Sequence, residues 1–361
     1  MIDMALPDAP ATPALVVDVD VLDRNLEAMA DLARRSDVRL RPHVKTHKCL
    51  EIAERQFRAG ADGLTVATVA EAEVFAAAGF DDLFIAYPLW VDRDKGARIH
   101  RLLQSVRLDM GVDSAEGGRA LAAQLGADRG RAGVLIEVDS GHHRTGVPPD
   151  TAGRLADQLR HEGLDVRGVF TFPGHSYGPG MPQTAAQDES TALSAAAEAL
   201  RSVGIEPRVV SGGSTPSVRF ADPGTVTEIR PGVYPFGDAQ QLELGTCEPG
   251  DIALTALATV VSRSNGHVVL DSGSKVIGAD RPAWTTGHGR LLDHLDARII
   301  AISEHHATVR WDDSPVPSPG DRLRVLPNHV CNAVNLVDEL VIVQDGRFVD
   351  RWRVAARGAN T

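Results

Sequence analysis

A basic segment near the start of the chain holds the first residues that could do chemistry. RPHVKTHK, residues 41–48, places Lys45 where a predicted strand meets its following loop, the rim on which barrel enzymes assemble active sites. A lysine that attacks an aldehyde must be partly deprotonated, and positive neighbours lower its pKa if they lie close in space. Those neighbours are Arg41, His43, His47 and Lys48. Lys45 is therefore a candidate Schiff-base lysine, with a solvated basic loop as the alternative.

A histidine and a cysteine near the other end of the chain form a candidate metal pair. His329 and Cys331 lie in LPNHVCNAVNL, residues 326–336, and face the same side if the segment is extended. Imidazole and thiolate together suit zinc. Structural zinc sites usually have four protein ligands, so a pair predicts a catalytic metal whose other positions are filled by water or substrate. An accidental H-x-C spacing is the alternative.

Two segments rich in small residues follow predicted strands and are candidate anion sites. SGGSTPS, residues 211–217, has consecutive small residues whose backbone amides can surround a phosphate. RPGVYPFGDAQQ, residues 230–241, sets a glycine beside an aromatic residue at another strand end. Structural turns have the same composition, so each segment alone leaves both interpretations open.

Two polar side chains on further loops could contact a ligand at the same rim. Arg144 in SGHHRTGV, residues 140–147, follows the strand GVLIEVD and could hydrogen-bond a cofactor oxygen or an anion. Tyr177 in FTFPGHSYG, residues 170–178, follows the next strand and could pack or hydrogen-bond against a ligand. A surface salt bridge for the arginine and a core position for the tyrosine are the alternatives.

The elements that must position these residues alternate regularly from about residue 12 to about residue 240. Short β-branched runs are separated by alanine-rich stretches with helical spacing, as in repeated βα units. Eight or nine units in about 230 residues match a (β/α)8 TIM-type barrel better than a doubly wound open sheet, which stays possible. Nine candidates leave room for one strand outside the barrel; they are residues 14–19, 38–44, 63–68, 82–88, 105–110, 133–139, 166–172, 207–213 and 227–234.

Beyond about residue 245 the pattern changes to strands with little helix between them. The last pair, ELVIVQDGRFVDRWRV, has an Asp-Gly turn between two alternating runs and predicts a hairpin. We therefore expect a barrel over residues 12–244 and a mainly β domain over residues 245–361, together with residues 1–11. The other strand candidates of this part are residues 252–264, 267–273, 297–311 and 322–330.

Composition limits the classes of partner. The 361 residues are 43% hydrophobic and 24% charged, with no apolar run long enough for a membrane span, and the first residues do not resemble a secretion signal. We expect a soluble, cytoplasmic protein. A net charge of −12 disfavours nucleic acid and anionic membranes as partners. Three cysteines argue against a disulfide framework. Any phosphate must be held by local backbone donors.

Together and in this order, the motifs resemble the pyridoxal-phosphate enzymes of the alanine-racemase barrel type, fold type III. The specific resemblance is to the metal-activated D-serine dehydratase and D-threonine aldolase family, from TPALVVDVDVLDRNL to PNHVCNAVNLVDELVIV. It implies pyridoxal 5′-phosphate on Lys45 and a divalent metal on His329 and Cys331. Zn²⁺ is favoured by the thiolate, with Mn²⁺ or Mg²⁺ as alternatives.

The resemblance also assigns further cofactor contacts. Tyr177 and Thr215 would contact the cofactor, the backbone of Gly232 and Val233 would hold its phosphate, and Arg144 would lie near its phenolic oxygen. Two positions depart from the eukaryotic dehydratases: Phe170 replaces a polar or tyrosine side chain, and Val233 replaces asparagine. Phe170 cannot donate a hydrogen bond to the cofactor, whereas a backbone contact at Val233 would survive.

Two chemistries on β-hydroxy-D-amino acids compete within this family. A dehydratase removes the α-proton through the freed Lys45 and expels the β-hydroxyl, which yields a keto acid and ammonia. An aldolase deprotonates the β-hydroxyl and breaks the Cα–Cβ bond, which yields glycine and an aldehyde. The cysteine of the H-x-C pair resembles the dehydratases, because the family's aldolases carry aspartate there.

Two other activities and one assembly follow from the same resemblance. A non-catalytic pyridoxal-phosphate-binding barrel would lack the appended β domain. A racemase would need a tyrosine from the C-terminal domain, whereas Tyr87, Tyr177 and Tyr234 all fall in the predicted barrel region. The small-molecule amino acid is the expected partner, and a homodimer is the expected assembly.

Overall fold

Secondary structure alternates along the chain much as the sequence pattern predicts. The computed structural model describes residues 10–264, 266–312 and 314–361. Its α-helices are α1 (Val19–Arg35), α2 (Leu50–Ala59), α3 (Val69–Ala77), α4 (Arg93–Leu102), α5 (Ala115–Leu125), α6 (Ala152–His161), α7 (Pro182–Ser202), α8 (Ala239–Glu243), α9 (Ser274–Ile277) and α10 (Val330–Asn335). No helix in these ranges is long and apolar enough to cross a membrane.

The strands fall into two sheets. They are β1 (Ala14–Asp18), β2 (Arg39–Leu40), β3 (Leu64–Val66), β4 (Asp82–Pro88), β5 (Arg107–Val112), β6 (Gly133–Glu137), β7 (Asp165–Phe170), β8 (Val209–Gly212), β9 (Glu228–Ile229), β10 (Leu254–Ser264), β11 (His267–Leu270), β12 (Gly289–Leu291), β13 (Arg298–Ile302), β14 (Ala307–Arg310), β15 (Arg322–Pro327), β16 (Glu339–Gln344) and β17 (Arg347–Arg353).

The first sheet is parallel and has eight strands in the order β2-β9-β8-β7-β6-β5-β4-β3. An isolated parallel bridge between His43 and Thr65 joins the ends of this order, so the sheet closes as a barrel. The predicted (β/α)8 barrel is therefore confirmed, and the open sheet is excluded. Eight of the nine strand candidates supply its strands.

The remaining candidate, residues 14–19, lies outside the barrel. Its strand β1 pairs antiparallel with β10 and parallel with β16, within a nine-stranded sheet of order β11-β14-β13-β12-β15-β10-β1-β16-β17. Burial explains this pairing, because Val16 packs against Leu257, Val341 and Val343 of the neighbouring strands. The one extra strand that the count allowed is thus the first.

The second sheet confirms the hairpin and corrects one strand. Asp345 and Gly346 have φ values of 49° and 75°, the left-handed pair that a tight turn between β16 and β17 requires. The run 297–311, predicted as one strand, is wrong in that respect: it forms the antiparallel pair β13 and β14. The polar stretch SEHH between them makes the turn.

The two compact units of the chain are each discontinuous in sequence. The barrel unit comprises residues 29–45, 56–232 and 359–361, and the β unit comprises 46–55, 233–358 and the described part of 1–28. The boundaries predicted from the sequence lie after residues 11 and 244. The chain passes between the two units directly after Lys45 and directly after Gly232, and Tyr234 belongs to the β unit.

Candidate cofactor and metal sites

Lys45 lies in the barrel unit, five residues beyond the end of β2. Its partly buried side chain places Nζ 5.7 Å from the ring centre of Phe172, just beyond the end of β7. Both residues follow the carboxyl ends of barrel strands, where the barrel fold gathers catalytic groups. The location predicted for Lys45 from its sequence context is therefore the one observed.

Phe172 gathers the other polar side chains predicted for this rim. The guanidinium carbon of Arg144 lies 5.4 Å from its ring centre, and the ring of Tyr177 lies 6.3 Å from it. The imidazole of His142 packs edge-on against the same ring at 5.6 Å. An amine, a guanidinium and a phenol around one aromatic ring suit a planar anionic ligand. Phe172 was not predicted as a site residue, although its position in the motif FTF at a strand end could have indicated it.

Arg144 is positioned by a loop that is tied to β6. A bridge pairs Val138 with Val147, and the hydroxyl of Thr145 donates to Oε1 of Glu137 at 2.9 Å. Asp139 accepts from the backbone N–H groups of Gly141 and His143 at 2.9 and 3.0 Å. These bonds hold the loop closed and leave the exposed Arg144 side chain free of the barrel core.

The loop after β8 is built from hydroxyl groups and closely approached glycines. Ser214 is hydrogen-bonded to both Ser176 and Ser217, each at 2.8 Å between oxygens, so the loops of Tyr177 and Thr215 are joined. Gly213 has φ +83°, and a Cβ on Gly212 would lie 2.4 Å from Oε1 of Glu189. The small residues are therefore required locally.

Glu189 of α7 supports this loop from below and was not anticipated from the sequence. Its side chain is buried, and it accepts a 2.6 Å hydrogen bond from the backbone N–H of Gly213. Burial raises its pKa to about 7, although the Gly213 bond and the positive charge of Arg230 act in the opposite direction. Its isolated position on an otherwise alanine-rich helical face was the available signal.

The segment after β9 is anchored between two other strand ends. The N–H of His43 donates to the carbonyl of Pro231 at 3.0 Å, and the N–H of Arg230 donates to the carbonyl of Gly212 at 2.9 Å. Gly232 ends the barrel unit here. In the β unit, the carbonyl of Val233 accepts from the N–H groups of Phe236 and Gly237, both at 3.1 Å.

The structure explains the positions of two residues that were considered beside the site, Arg41 and Phe170. Arg41 is buried and pairs with Glu228 and Asp82, each at 2.8 Å, so its charge is neutralised rather than directed at Lys45. Phe170, doubtful as a cofactor contact, is a core residue. Its ring meets that of Phe84 edge-on at 5.1 Å inside the barrel.

The metal pair lies in the β unit at the start of α10. His329 is the residue before the helix, with φ −137° and ψ 111°, and Cys331 lies in its first turn. The expectation of an extended segment is therefore wrong, because the helix start brings the two side chains together. Cys331 donates from Sγ to the hydroxyl of Thr46 at 3.2 Å, and Thr46 directly follows Lys45 in the chain.

The electrostatics of the pair suit a divalent cation. Burial disfavours the charged imidazole, but the neighbouring Cys331 and the carboxylate of Asp238 outweigh it and raise the pKa of His329. The same negative surroundings would favour a metal ion, which would have to take the place of one imidazole proton. Within the described ranges no group of three or more His, Cys, Asp and Glu could hold a metal. An imidazole and a thiol on neighbouring positions would fit a metal held by two protein ligands, with water or substrate in its open positions.

Known proteins resemble the chain along nearly its whole length. Residues 17–240 match the family model described as the alanine racemase N-terminal domain, and residues 253–343 match the putative serine dehydratase domain. The D-threo-3-hydroxyaspartate dehydratase of Delftia sp. (strain HT23) is 38% identical over 89% of this chain and 90% of its own length. The D-threonine aldolase of Arthrobacter sp is 34% identical over 96% of this chain and 93% of its own.

Solved structures of the same kinds of enzyme resemble the chain in fold. The crystal structure of D-threonine aldolase from Filomicrobium marinum has a TM-score of 0.89, is 33% identical and covers 97% of each chain. Structures of D-threo-3-hydroxyaspartate dehydratase have a TM-score of 0.87 at 33% identity. They include a histidine-to-alanine variant and, in the metal-free form, a variant in which a cysteine two positions later is changed to alanine.

Proposed function

Because the chain belongs to the pyridoxal-phosphate enzyme family of D-serine dehydratase and D-threonine aldolase, we propose that it is a lyase that eliminates water from β-hydroxy-D-amino acids. The products are a keto acid and ammonia. The observation that carries the dehydratase assignment is Cys331 beside His329 at the start of α10, in place of the aspartate expected in an aldolase. The dehydratase variants two positions apart support the same pair as metal ligands.

In this proposal Lys45 is both the attachment point of the cofactor and the base. Pyridoxal 5′-phosphate would supply an aldehyde for the substrate amine and a ring that delocalises negative charge from Cα. With the cofactor bound, the amine of Lys45 would take the α-proton. Its place beside Phe172 at the barrel rim supports this role. The proposed cofactor contacts are Arg144, Tyr177, Thr215, Gly232 and Val233.

His329 and Cys331 are the proposed metal ligands. A divalent ion held there, zinc by preference because of the thiolate, would make the β-hydroxyl easier to expel. The α-proton on Lys45 and the departing hydroxide would together make up one lost water, and hydrolysis of the resulting imine by water would give the keto acid and ammonia. The neighbouring residues Val330 and Asn328 are buried, whereas about a quarter of the His329 side chain is exposed and would be open to substrate.

A second candidate is retro-aldol cleavage to glycine and an aldehyde. The D-threonine aldolase structure, with its TM-score of 0.89, favours it. The two candidates differ in the bond that breaks and therefore in their products, which one assay separates.

The test is a product assay on protein loaded with pyridoxal phosphate and zinc, with and without chelator. D-serine, D-threonine, D-threo-3-hydroxyaspartate and D-threo-3-phenylserine are offered, and keto acid, ammonia, glycine and aldehyde are measured separately. We expect chelator-sensitive keto acid and ammonia. Glycine with aldehyde would instead make it an aldolase. No product, despite a yellow colour that depends on Lys45, would make it a non-catalytic binder.

The proposal also includes a homodimer and a cytoplasmic location, as the sequence analysis expects. Light scattering on the cofactor-loaded protein should give the mass of two chains, and a monomer would contradict the dimer. Fractionation of cells that produce the untagged protein, followed by immunoblotting, checks the location.

A further inference from the structure

A buried carboxylate in the β unit connects the starts of two short helices. Asp238 is fully buried and precedes α8, where its Oδ1 accepts from the N–H of Gln241 at 2.9 Å. Its Oδ2 accepts from the N–H of Val330 at 3.3 Å, in the first turn of α10. A buried carboxylate needs such hydrogen-bond partners. Oδ2 can accept from one donor in addition to the N–H of Val330.

The imidazole of His329 lies beside this oxygen. Its Nδ1 lies 3.4 Å from Oδ2 of Asp238, an ion-pair contact just beyond the usual hydrogen-bonding distance. Within the described ranges this buried nitrogen makes no hydrogen bond, so the Asp238 contact is the polar contact recorded for it. A carboxylate oxygen beside Nδ1 is placed to accept from that nitrogen, which would leave Nε2 as the ring nitrogen available to a metal.

We propose that Asp238 is a positioning residue that holds His329 in the tautomer whose Nε2 binds the metal beside Cys331. The inference rests on the proposed metal site and names a residue that the H-x-C motif does not contain. Carboxylates behind metal-ligating histidines fix ring orientation and raise ligand basicity in the same way.

The net charge of a metal-loaded site also supports a role for Asp238. A divalent ion on one thiolate and one neutral imidazole would keep a net charge of +1, which a nearby buried carboxylate would offset. Asp238, which is buried and lies one contact away, brings that sum to zero. The carboxylate therefore neutralises the loaded site as well as orienting its ligand.

The test compares Asp238→Asn with wild type. Asparagine is a good residue before a helix and keeps an acceptor for Gln241, but its amide nitrogen replaces Oδ2. The variant therefore loses the acceptor for the N–H of Val330 and donates to Nδ1, which moves the ring proton to Nε2. Loss of a group behind a ligand weakens metal binding by about 10- to 100-fold. We expect that loss in the zinc dissociation constant, measured by competition with a chromogenic chelator. The Co²⁺ absorption spectrum should change as well.

Asp280→Asn is the matched control. Asp280 accepts from the side chain of Asn332, beside Cys331, at 2.7 and 2.6 Å and carries the same charge. Removing that charge should change zinc affinity by less than about fivefold, as for a partly exposed charge. A loss equal to that of Asp238→Asn would mean that general charge, not the histidine contact, is responsible.

Three outcomes separate the possibilities. If wild type binds no zinc, or if His329→Ala binds zinc as well as wild type does, the proposed metal site is wrong and the inference fails with it. If wild type binds zinc and Asp238→Asn binds it equally with an unchanged Co²⁺ spectrum, only the inference is overturned. Should Asp238→Asn not fold, NMR of ¹¹³Cd-loaded, ¹⁵N-labelled wild type decides: coupling to Nε2 supports the inference, and coupling to Nδ1 overturns it.

Discussion

Glu189 gives the most demanding test of the barrel, because its environment predicts a stability change with pH. Its folded pKa is about 7 and its ordinary value 4.5, a difference of 7 − 4.5 = 2.5 units. Each unit corresponds to about 1.4 kcal/mol, so ionising this buried carboxyl costs the folded state about 3 kcal/mol.

The direction follows from which state holds the proton. Well below pH 4.5 Glu189 is protonated in both states and carries no penalty in the folded protein. Between pH 4.5 and about 7 the unfolded chain releases the proton while the folded chain keeps it, so stability falls as pH rises. Above pH 7 the penalty is complete.

Glu189→Gln removes this dependence and keeps the local geometry. The amide oxygen still accepts from the N–H of Gly213, and nothing ionises. Urea unfolding of the cofactor-free protein, followed by circular dichroism from pH 5 to 8.5, should show the variant becoming more stable relative to wild type. The gain across that range should be about 2 to 3 kcal/mol.

The control lies on the same helix. Glu198 is exposed and pairs with Arg201 at 3.5 Å, so Glu198→Gln should show no comparable trend with pH. A stability difference between Glu189→Gln and wild type that stays constant from pH 5 to 8.5 would refute the reasoning about burial.

Three further predictions address the proposed chemistry and the β unit. Lys45→Ala should abolish the yellow chromophore and lower kcat by about a thousandfold or more, whereas Lys48→Ala should keep the chromophore, since Lys48 donates to Asn335 within the β unit; absorbance and steady-state kinetics measure both. Cys331→Asp should shift metal preference from zinc towards manganese and magnesium, because a carboxylate is the harder ligand, and competition between these ions checks it. Gly346→Ala should destabilise the protein by about 1 kcal/mol, because alanine disfavours φ 75°, and thermal unfolding measures the loss.

Periodicity predicted most of the barrel because local pattern decides it. Each βα unit carries its own β-branched run and its own helical spacing, and eight of these runs became strands β2 to β9. The first run looks the same in sequence, yet β1 pairs with β10 and β16. That choice depends on strands more than 200 residues away, and no local pattern encodes it.

The residues of the candidate site also differ in whether local sequence or distant contacts determine their positions. Lys45, Arg144 and Tyr177 could be predicted as site residues because reactive side chains just beyond strand ends share one rim of a barrel. Phe172 and Asp238 could not, because their contacts join distant parts of the chain, such as the 92 residues that separate Asp238 from Val330. The H-x-C pair was predicted as a metal pair from its chemistry, although its geometry comes from a helix start rather than a strand.

The protonation of Glu189 bears on the proposed phosphate loop as well as on stability. A chain of net charge −12 has no general field to attract a phosphate, so the loop that holds Thr215 must supply local donors. An ionised Glu189 beneath Gly213 would oppose an anion there, and a neutral one would not. Bound phosphate should therefore raise the pKa of Glu189 further, and affinity for pyridoxal phosphate should fall as pH rises above 7 in wild type. In Glu189→Gln this part of the pH dependence should disappear, and an identical decline in both proteins would place the phosphate away from the loop.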